Sequence, residues 1–134
     1  MGITINLYAA DVSNEDSYVI TPILSLSGKE ASLLANWFYT FYHAQNRNYL
    51  EESTEFIMFY LEEVMVLHEH LIQASAGQTH LMPIYDLMYD DLLYIEPNSQ
   101  EYYRLLDSLY AKIDSLFYKD NKYNDSIFFY RISW

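Results

Sequence analysis

Two histidines, His68 and His70, are the side chains whose type and spacing most directly suggest chemistry, namely metal binding. They stand two residues apart in the segment LHEHL. On a helix, residues i and i+2 diverge by about 200°, so the two imidazoles cannot bind one ion. Neither the H-E-x-x-H motif nor the E-x-x-H motif of di-iron bundles occurs in the chain. We therefore expect no metal site.

Two pairs of adjacent acids, Glu62/Glu63 and Asp90/Asp91, are the next candidates for chemistry. Acid–base catalysis needs two carboxyl groups that converge on one pocket from different elements. Neighbouring acids on one helix point apart instead. The three glycines form no phosphate-binding loop, dinucleotide fingerprint or nucleophile elbow. We expect a non-catalytic protein without a cofactor. A hydrolase built from a Ser, a His and an Asp at distant positions remains an alternative.

Both ends of the chain alternate apolar and polar residues, as half-buried strands do. The opening segment ITINLYAA, residues 3–10, shows this pattern. The closing segment DSIFFYRISW, residues 125–134, places four large apolar residues on one side: Phe128, Tyr130, Ile132 and Trp134. A further extended segment, residues 17–24, contains Pro22, which favours an edge strand or a strand end. We expect the two ends to pair in a small sheet.

Signals for helix starts divide the rest of the chain into four helices. Ser27 with Glu30 is a capping-box pattern, in which each side chain accepts from the other's backbone N–H. Pro83 suits a first helical turn, because its missing N–H would be unpaired there. Asn48 and Asn98, each with a glutamate three residues later, give weaker starts. The expected helices span roughly 28–46, 49–76, 83–95 and 98–119. The predicted fold over residues 1–134 is a single α+β domain, predominantly α. About four helices pack as a bundle, with a small sheet from the terminal segments.

Acidic residues are concentrated in the middle of the chain. The net charge is −12, and residues 48–103 contain eleven acids without a single Lys or Arg. The remaining residues carry eight acids against seven bases, so eleven of the twelve excess charges lie in this segment. Such a surface repels nucleic-acid phosphates and anionic lipid, and it accelerates the encounter with a basic protein. We expect a basic protein partner, no direct nucleic-acid binding and no membrane binding.

The N-terminal segment MGITINLYAADVSNED carries no recognised targeting signal. It lacks the basic start and the apolar run of a signal peptide, and Asn6 stands where myristoylation requires Ser or Thr. The chain has no cysteine, so neither disulfides nor thiolate metal sites are available to it. These features predict a cytoplasmic protein.

Helical wheels for the second and third predicted helices place apolar residues among the acids. Phe59 and Val66 fall between two rows of glutamates, and Leu87 and Tyr94 fall among three aspartates. An apolar centre with a charged rim is typical of protein interfaces. The candidate protein-binding residues are therefore Glu55, Phe59, Glu62, Glu63, Val66, Glu69, Asp86, Leu87, Asp90, Asp91 and Tyr94. The alternative is that Phe59 and Val66 pack against another helix or against a homodimer partner.

In size, acidity and lack of catalytic motifs, the chain resembles the immunity proteins of bacterial toxin systems, which occlude a toxin that is often a nuclease. The resemblance is one of type, without a family motif. It implies an inhibitor that covers the basic working surface of a toxin.

Two alternatives stay open. One is a phage-type inhibitor of a host nucleic-acid-binding defence complex, whose carboxylates stand in for phosphates. The glutamates at positions 55, 62 and 69 would recur about every 10.5 Å along a helix, whereas duplex DNA carries one charge per about 1.7 Å, so one helix is too sparse for this. The other is a non-catalytic structural or adaptor homodimer.

Overall fold

Four antiparallel strands form one sheet in the structure, a computed structural model that describes residues 3–11, 20–44, 56–79, 81, 95–119 and 126–133. The strands are β1 (Thr4–Asp11), β2 (Ile20–Ser27), β3 (Ile57–Phe59) and β4 (Ser126–Ser133). Their order across the sheet is β2-β1-β4-β3. The first and last strands in sequence therefore lie side by side in the middle of the sheet.

The predicted pairing of the two chain ends is confirmed. Three cross-strand pairs of β1 and β4 point into the core: Ile5 with Ile132, Leu7 with Tyr130 and Ala9 with Phe128. Because side chains alternate between the faces of a strand, one residue of slippage would move this whole set to the other face of the sheet. The apolar alternation thus fixes the register of the central strand pair.

Strand β2 lies at the edge of the sheet and accommodates Pro22. Leu24 lies opposite Leu7, but Pro22 lies opposite Tyr8, so Ile23 is an extra residue in β2. Proline cannot donate a ladder hydrogen bond, and edge strands and bulges are the positions that tolerate it. The predicted edge position is therefore confirmed.

Three helices are described: α1 (Gly28–Ala44), α2 (Leu61–Ser75) and α3 (Gln100–Asp114). A π-helical turn, Ser115–Lys119, continues α3. Helix α3 contacts both α1 and α2, and its apolar row is buried against them and the sheet. That row consists of Tyr102, Leu106, Leu109, Ile113 and Phe117. None of the helices in the described part of the chain is long and apolar enough to cross a membrane.

The prediction of about four bundled helices with a small sheet is wrong. The described residues form three helices and a four-stranded antiparallel sheet. The second predicted helix, 49–76, was extended too far towards the N-terminus, because residues 57–59 form β3 and pair with β4. Helix α2 begins only at Leu61, after an extended Tyr60 with φ −115° and ψ 162°. The third predicted helix, 83–95, lies outside the described residues except for Ile95.

The aromatic and β-branched composition of residues 56–60, FIMFY, explains why a strand forms within this segment. Such residues suit a pleated, half-buried surface. Phe59 lies opposite Phe128 in the neighbouring strand, and their rings stack with centroids 5.5 Å apart. Cross-strand aromatic pairs of this kind stabilise a sheet by about 0.2–1 kcal/mol each. The apolar spacing of Phe56, Ile57 and Tyr60 also fits a helix, which is why a helical wheel accepts them.

Glu30 connects two helices instead of capping one. Ser27 is the last residue of β2, and α1 starts directly after it at Gly28, whose φ is +67°. The carboxylate of Glu30 is buried, accepts a 2.8 Å hydrogen bond from Ser108 Oγ and pairs with the ammonium of Lys112. Both of its oxygens are thus engaged with α3.

The predicted start of the last helix is shifted by one residue. Asn98 adopts a φ of +61°, outside the helix, and Ser99 is the N-cap. The hydroxyl oxygen of Ser99 accepts a 3.1 Å hydrogen bond from the backbone N–H of Tyr102. Serine caps as well as asparagine does, so the two adjacent residues could not be distinguished from their types alone.

Candidate functional site

Helix α2 is held between its neighbours by two histidines that point in different directions. Trp37 of α1 donates its indole N–H to Nδ1 of His70 at 3.0 Å. His68 donates from Nε2 to a carboxylate oxygen of Asp114 of α3 at 3.1 Å. The two imidazoles therefore contact different helices, as their spacing predicts. Among the described residues, no three His, Asp or Glu side chains are grouped closely enough to hold a metal ion.

The face of α2 that points away from the core carries alternating acids and large apolar residues. We define the outer stripe as Glu62, Met65, Glu69 and Ile72, which follow one another at intervals of three or four residues. Residues with this spacing are neighbours on a helix surface. Both glutamates are exposed, Met65 is 56% exposed and Ile72 is 42% exposed. The outer stripe thus places two exposed apolar side chains next to two exposed carboxylates.

The charge of the outer stripe is not compensated within the described parts of the chain. No ion pair there reaches Glu62 or Glu69, and Glu69 only accepts a 3.3 Å hydrogen bond from the Gln73 amide. By contrast, α1 and α3 are linked by the pairs Lys29–Glu101 and Lys112–Glu30. Among the described residues, the negative charge of the outer stripe is therefore not neutralised by a cation.

The predicted site residues are divided between the surface and the interior. Phe59 is only 2% exposed, so it belongs to the core. It packs against Phe38 of a helix, as the alternative interpretation expects, and also against Phe128 of the neighbouring strand, which that interpretation does not include. Val66 is half-buried against the core. Glu63 is 8% exposed, and its Oε2 has no hydrogen-bond partner in the described structure. Of the predicted residues described, only Glu62 and Glu69 lie together on the open face of α2.

Six of the predicted site residues lie outside the described residues: Glu55, Asp86, Leu87, Asp90, Asp91 and Tyr94. Their part in an acidic interface stays a prediction.

Sequence reasoning missed the two apolar residues of the outer stripe. Met65 and Ile72 are seven residues apart and three residues after Glu62 and Glu69, respectively, so the same wheel contains the signal. When the helix is predicted to begin at residue 49, the wheel places Phe59 among the glutamates, and Phe59 is then taken as the apolar centre of the interface. Once α2 begins at Leu61, the buried arc is Glu63, Val64, Leu67, Leu71 and Ala74, and Met65 and Ile72 remain outside it.

A second surface feature lies where α2 contacts α3 and the π-helical turn. We define the His68 cluster as His68, Tyr110, Asp114 and Tyr118. The imidazole of His68 lies 5.0 Å from the Tyr110 ring and 4.2 Å from the Tyr118 ring, centroid to centroid. Tyr118 belongs to the π-helical turn and is 41% exposed. Single π-helical turns occur frequently at functional sites.

Burial and neighbouring groups shift the pKa of Tyr118 in the His68 cluster. Partial burial raises the pKa of Tyr118 above its usual value, and the nearby Asp114 carboxylate and Tyr110 raise it further. Tyr118 therefore keeps its proton at neutral pH and presents a neutral ring. Lys119 brings its ammonium to 3.9 Å from Asp114 Oδ2, which is beyond hydrogen-bonding distance.

The sheet face opposite the helices carries a separate aromatic group. The Phe56 ring lies edge-on to Tyr8 at 5.0 Å, and the guanidinium of Arg131 lies 5.5 Å from the Phe56 centroid. Met58 and Ile20, on other strands of the sheet, are also exposed. This surface has a cation where the outer stripe has acids, so the two are chemically distinct.

No family model matches this chain, and no curated protein or solved structure is significantly similar to it.

Proposed function

We propose that this chain is a small acidic inhibitor that binds a basic protein through the outer stripe of α2. The type of function is that of an immunity protein, which neutralises a basic bacterial toxin of the nuclease type by occluding its working surface. The observation that supports this proposal is the position of exposed Met65 and Ile72 in one row with Glu62 and Glu69, neither of which has an ion-pair partner among the described residues.

The composition of the outer stripe matches the anatomy of a protein interface. Large apolar side chains at the centre supply affinity when they are removed from water, and charges around them accelerate association and select the partner. Met65 is unbranched and adapts to an irregular partner surface. Because Glu62 and Glu69 pair with no cation among the described residues, binding a basic surface breaks no ion pair in that part of the chain.

Nucleic-acid mimicry is less consistent with the same residues. Glu62 and Glu69 are seven residues apart, which places them about 10.5 Å apart along the helix axis. Met65 lies between them, whereas the phosphates of a duplex form a continuous charged row. The stripe fits a partner with mixed apolar and cationic groups better than it fits a protein surface built for phosphates alone.

A homodimer formed through α2 would bring the glutamates of two copies together. Like charges on facing helices are destabilising. The stripe therefore favours a partner of opposite charge over a second copy of this chain.

The proposal can be tested by affinity capture from the cells that produce the chain, followed by binding to the purified captured protein. The variant is Met65→Ser with Ile72→Ser. The matched control is Met58→Ser with Ile20→Ser, which removes two apolar residues of comparable exposure on the sheet. We expect one dominant basic protein, inhibited by the wild-type chain at equimolar amounts. The α2 variant should bind it at least about tenfold more weakly, since two buried apolar contacts are lost, and the control should bind as the wild type does. Equal loss in both variants, or capture of the chain itself only, would contradict the proposal.

A further inference from the structure

We propose that the His68 cluster is a receptor for one arginine side chain of the basic partner, with Asp114 Oδ2 accepting from the guanidinium and the Tyr118 ring stacking on it. The identity of the partner rests on the proposed function above. The chemistry of the site rests on the geometry of the cluster alone.

One carboxylate oxygen of Asp114 is hydrogen-bonded, and the other makes only a long ion-pair contact. Its Oδ1 accepts from His68 at 3.1 Å, which orients the carboxylate. Its Oδ2 faces the Lys119 ammonium at 3.9 Å, and the Lys119 side chain is 73% exposed. A contact of that length is weak, because exposed ion pairs contribute only about 0–1 kcal/mol. The geometry thus already attracts a cation to Oδ2 without holding it by a hydrogen bond.

Tyr118 provides an aromatic surface near Asp114, since His68 contacts both side chains. His68 covers the ring at 4.2 Å with an interplanar angle of 33°, which orders the side chain, while 41% of the residue stays exposed. An ordered ring loses little side-chain entropy when a ligand stacks on it. A cation above a tyrosine ring is attracted by the ring quadrupole.

The combination of one carboxylate oxygen and one aromatic surface selects arginine over other cations. A guanidinium is planar, so it stacks on a ring and donates to a carboxylate in its own plane at the same time. An ammonium is a point charge that is strongly hydrated, as the loose contact of Lys119 illustrates. A calcium ion takes six or more oxygen ligands, and the cluster offers a single carboxylate.

The cluster adjoins the outer stripe on the surface of α2. His68 follows Met65 by three residues and precedes Ile72 by four, so the three side chains are neighbours along the helix. An arginine at the edge of a partner seated on Met65 and Ile72 would therefore reach Asp114. The His68 cluster would thus add a site that selects for an arginine of the partner, on the α3 side of the apolar contact.

The test uses N-acetyl-arginine methylamide as the probe and the isolated chain as the receptor. The NMR signals of the Tyr118 ring and the His68 imidazole are followed at neutral pH. We expect saturable shifts of these signals with arginine and none with the uncharged citrulline analogue. Asp114→Asn should weaken probe binding roughly fivefold. Tyr118→Ala should weaken it roughly two- to fivefold, and Tyr118→Phe should restore it because the ring remains.

Two further variants serve as a control for the loss of a tyrosine and as a test of competition for Asp114 Oδ2. Tyr60→Ala removes another tyrosine of similar exposure and should leave probe binding unchanged. Lys119→Ala removes the internal competitor for Oδ2 and should tighten binding about twofold. Weaker binding in Lys119→Ala, equal shifts with citrulline, or unchanged binding in Asp114→Asn would overturn the assignment. The titration uses the probe and needs no partner. It can therefore fail while partner capture succeeds, and it can succeed while partner capture fails.

Discussion

The phenolic oxygen of Tyr102 accepts a 2.9 Å hydrogen bond from the backbone N–H of Leu81. Both residues are buried, so this contact ties Leu81, which follows α2 in the chain, to the first turn of α3. A buried N–H without an acceptor costs about 1–3 kcal/mol. Tyr102→Phe should therefore lower the free energy of unfolding by about that amount in urea denaturation. Tyr103→Phe, which removes an exposed hydroxyl bonded to Asn98 at 3.3 Å, is the control and should change stability by less than about 0.5 kcal/mol.

The same hydroxyl predicts a loss of stability at alkaline pH. Burial raises the pKa of Tyr102 above 10.0, and the Leu81 N–H offsets this only in part. Above that pH the unfolded chain has released this proton while the native state retains it, so stability falls as pH rises; below it, both states are protonated and the contribution is constant. The free energy of unfolding measured on either side of pH 10 should decline less steeply in Tyr102→Phe than in the wild type. An identical decline would show that Tyr102 titrates normally.

Glu30 should matter for stability through Lys112 and not through helix capping. Lys112→Ala leaves the buried carboxylate with Ser108 as its remaining α3 partner and should cost about 1–2 kcal/mol. Lys29→Ala breaks the more exposed pair with Glu101 and should cost less than about 1 kcal/mol. Chemical denaturation of both variants compares the two pairs. If Lys112→Ala were as mild as Lys29→Ala, the buried Glu30 carboxylate would not depend on its contact with Lys112.

The assignment of residues 57–59 to a core strand predicts a large difference between two phenylalanines. Phe59→Ala should destabilise the protein by about 3–5 kcal/mol, because a fully buried aromatic ring is replaced by a cavity. Phe56→Ala, at an exposed position three residues earlier, should cost less than about 1 kcal/mol. Thermal unfolding distinguishes the two outcomes. Comparable small losses would mean that Phe59 is not packed between Phe38 and Phe128.

Local patterns predicted the parts of the fold whose signals extend over many residues. The alternation in β1 and β4 spans eight residues in each strand, and it identified both the strands and their pairing. Strand β3 has three residues, and its formation depends on partners about seventy positions away in β4. Such a segment cannot be separated from the start of α2 by periodicity, since Phe56, Ile57 and Tyr60 also fit a helical face.

The candidate site was likewise predictable only where its residues are close together in the sequence. Glu62 and Glu69 could be placed on an open helix face because their spacing is local. The contacts of His68 with Asp114 and Tyr118 join residues about fifty positions apart and depend on how α2 packs on α3. The sequence contains no signal for that packing angle, so the His68 cluster emerged only from the structure.

The most direct measurement of the central claim is the association rate constant with the purified captured partner as a function of salt. The wild-type chain is compared with Glu62→Gln/Glu69→Gln. The control Glu101→Gln/Asp107→Asn removes the same number of exposed acids from α3, and it also breaks the exposed Lys29–Glu101 pair. Opposite charges accelerate encounter and are screened by salt over about 10 Å at 0.1 M ionic strength. We expect the α2 variant to associate several-fold more slowly at low salt and with a weaker salt dependence, while the control follows the wild type closely. Equal rates for the wild type and the α2 variant at every salt concentration would contradict binding through the outer stripe.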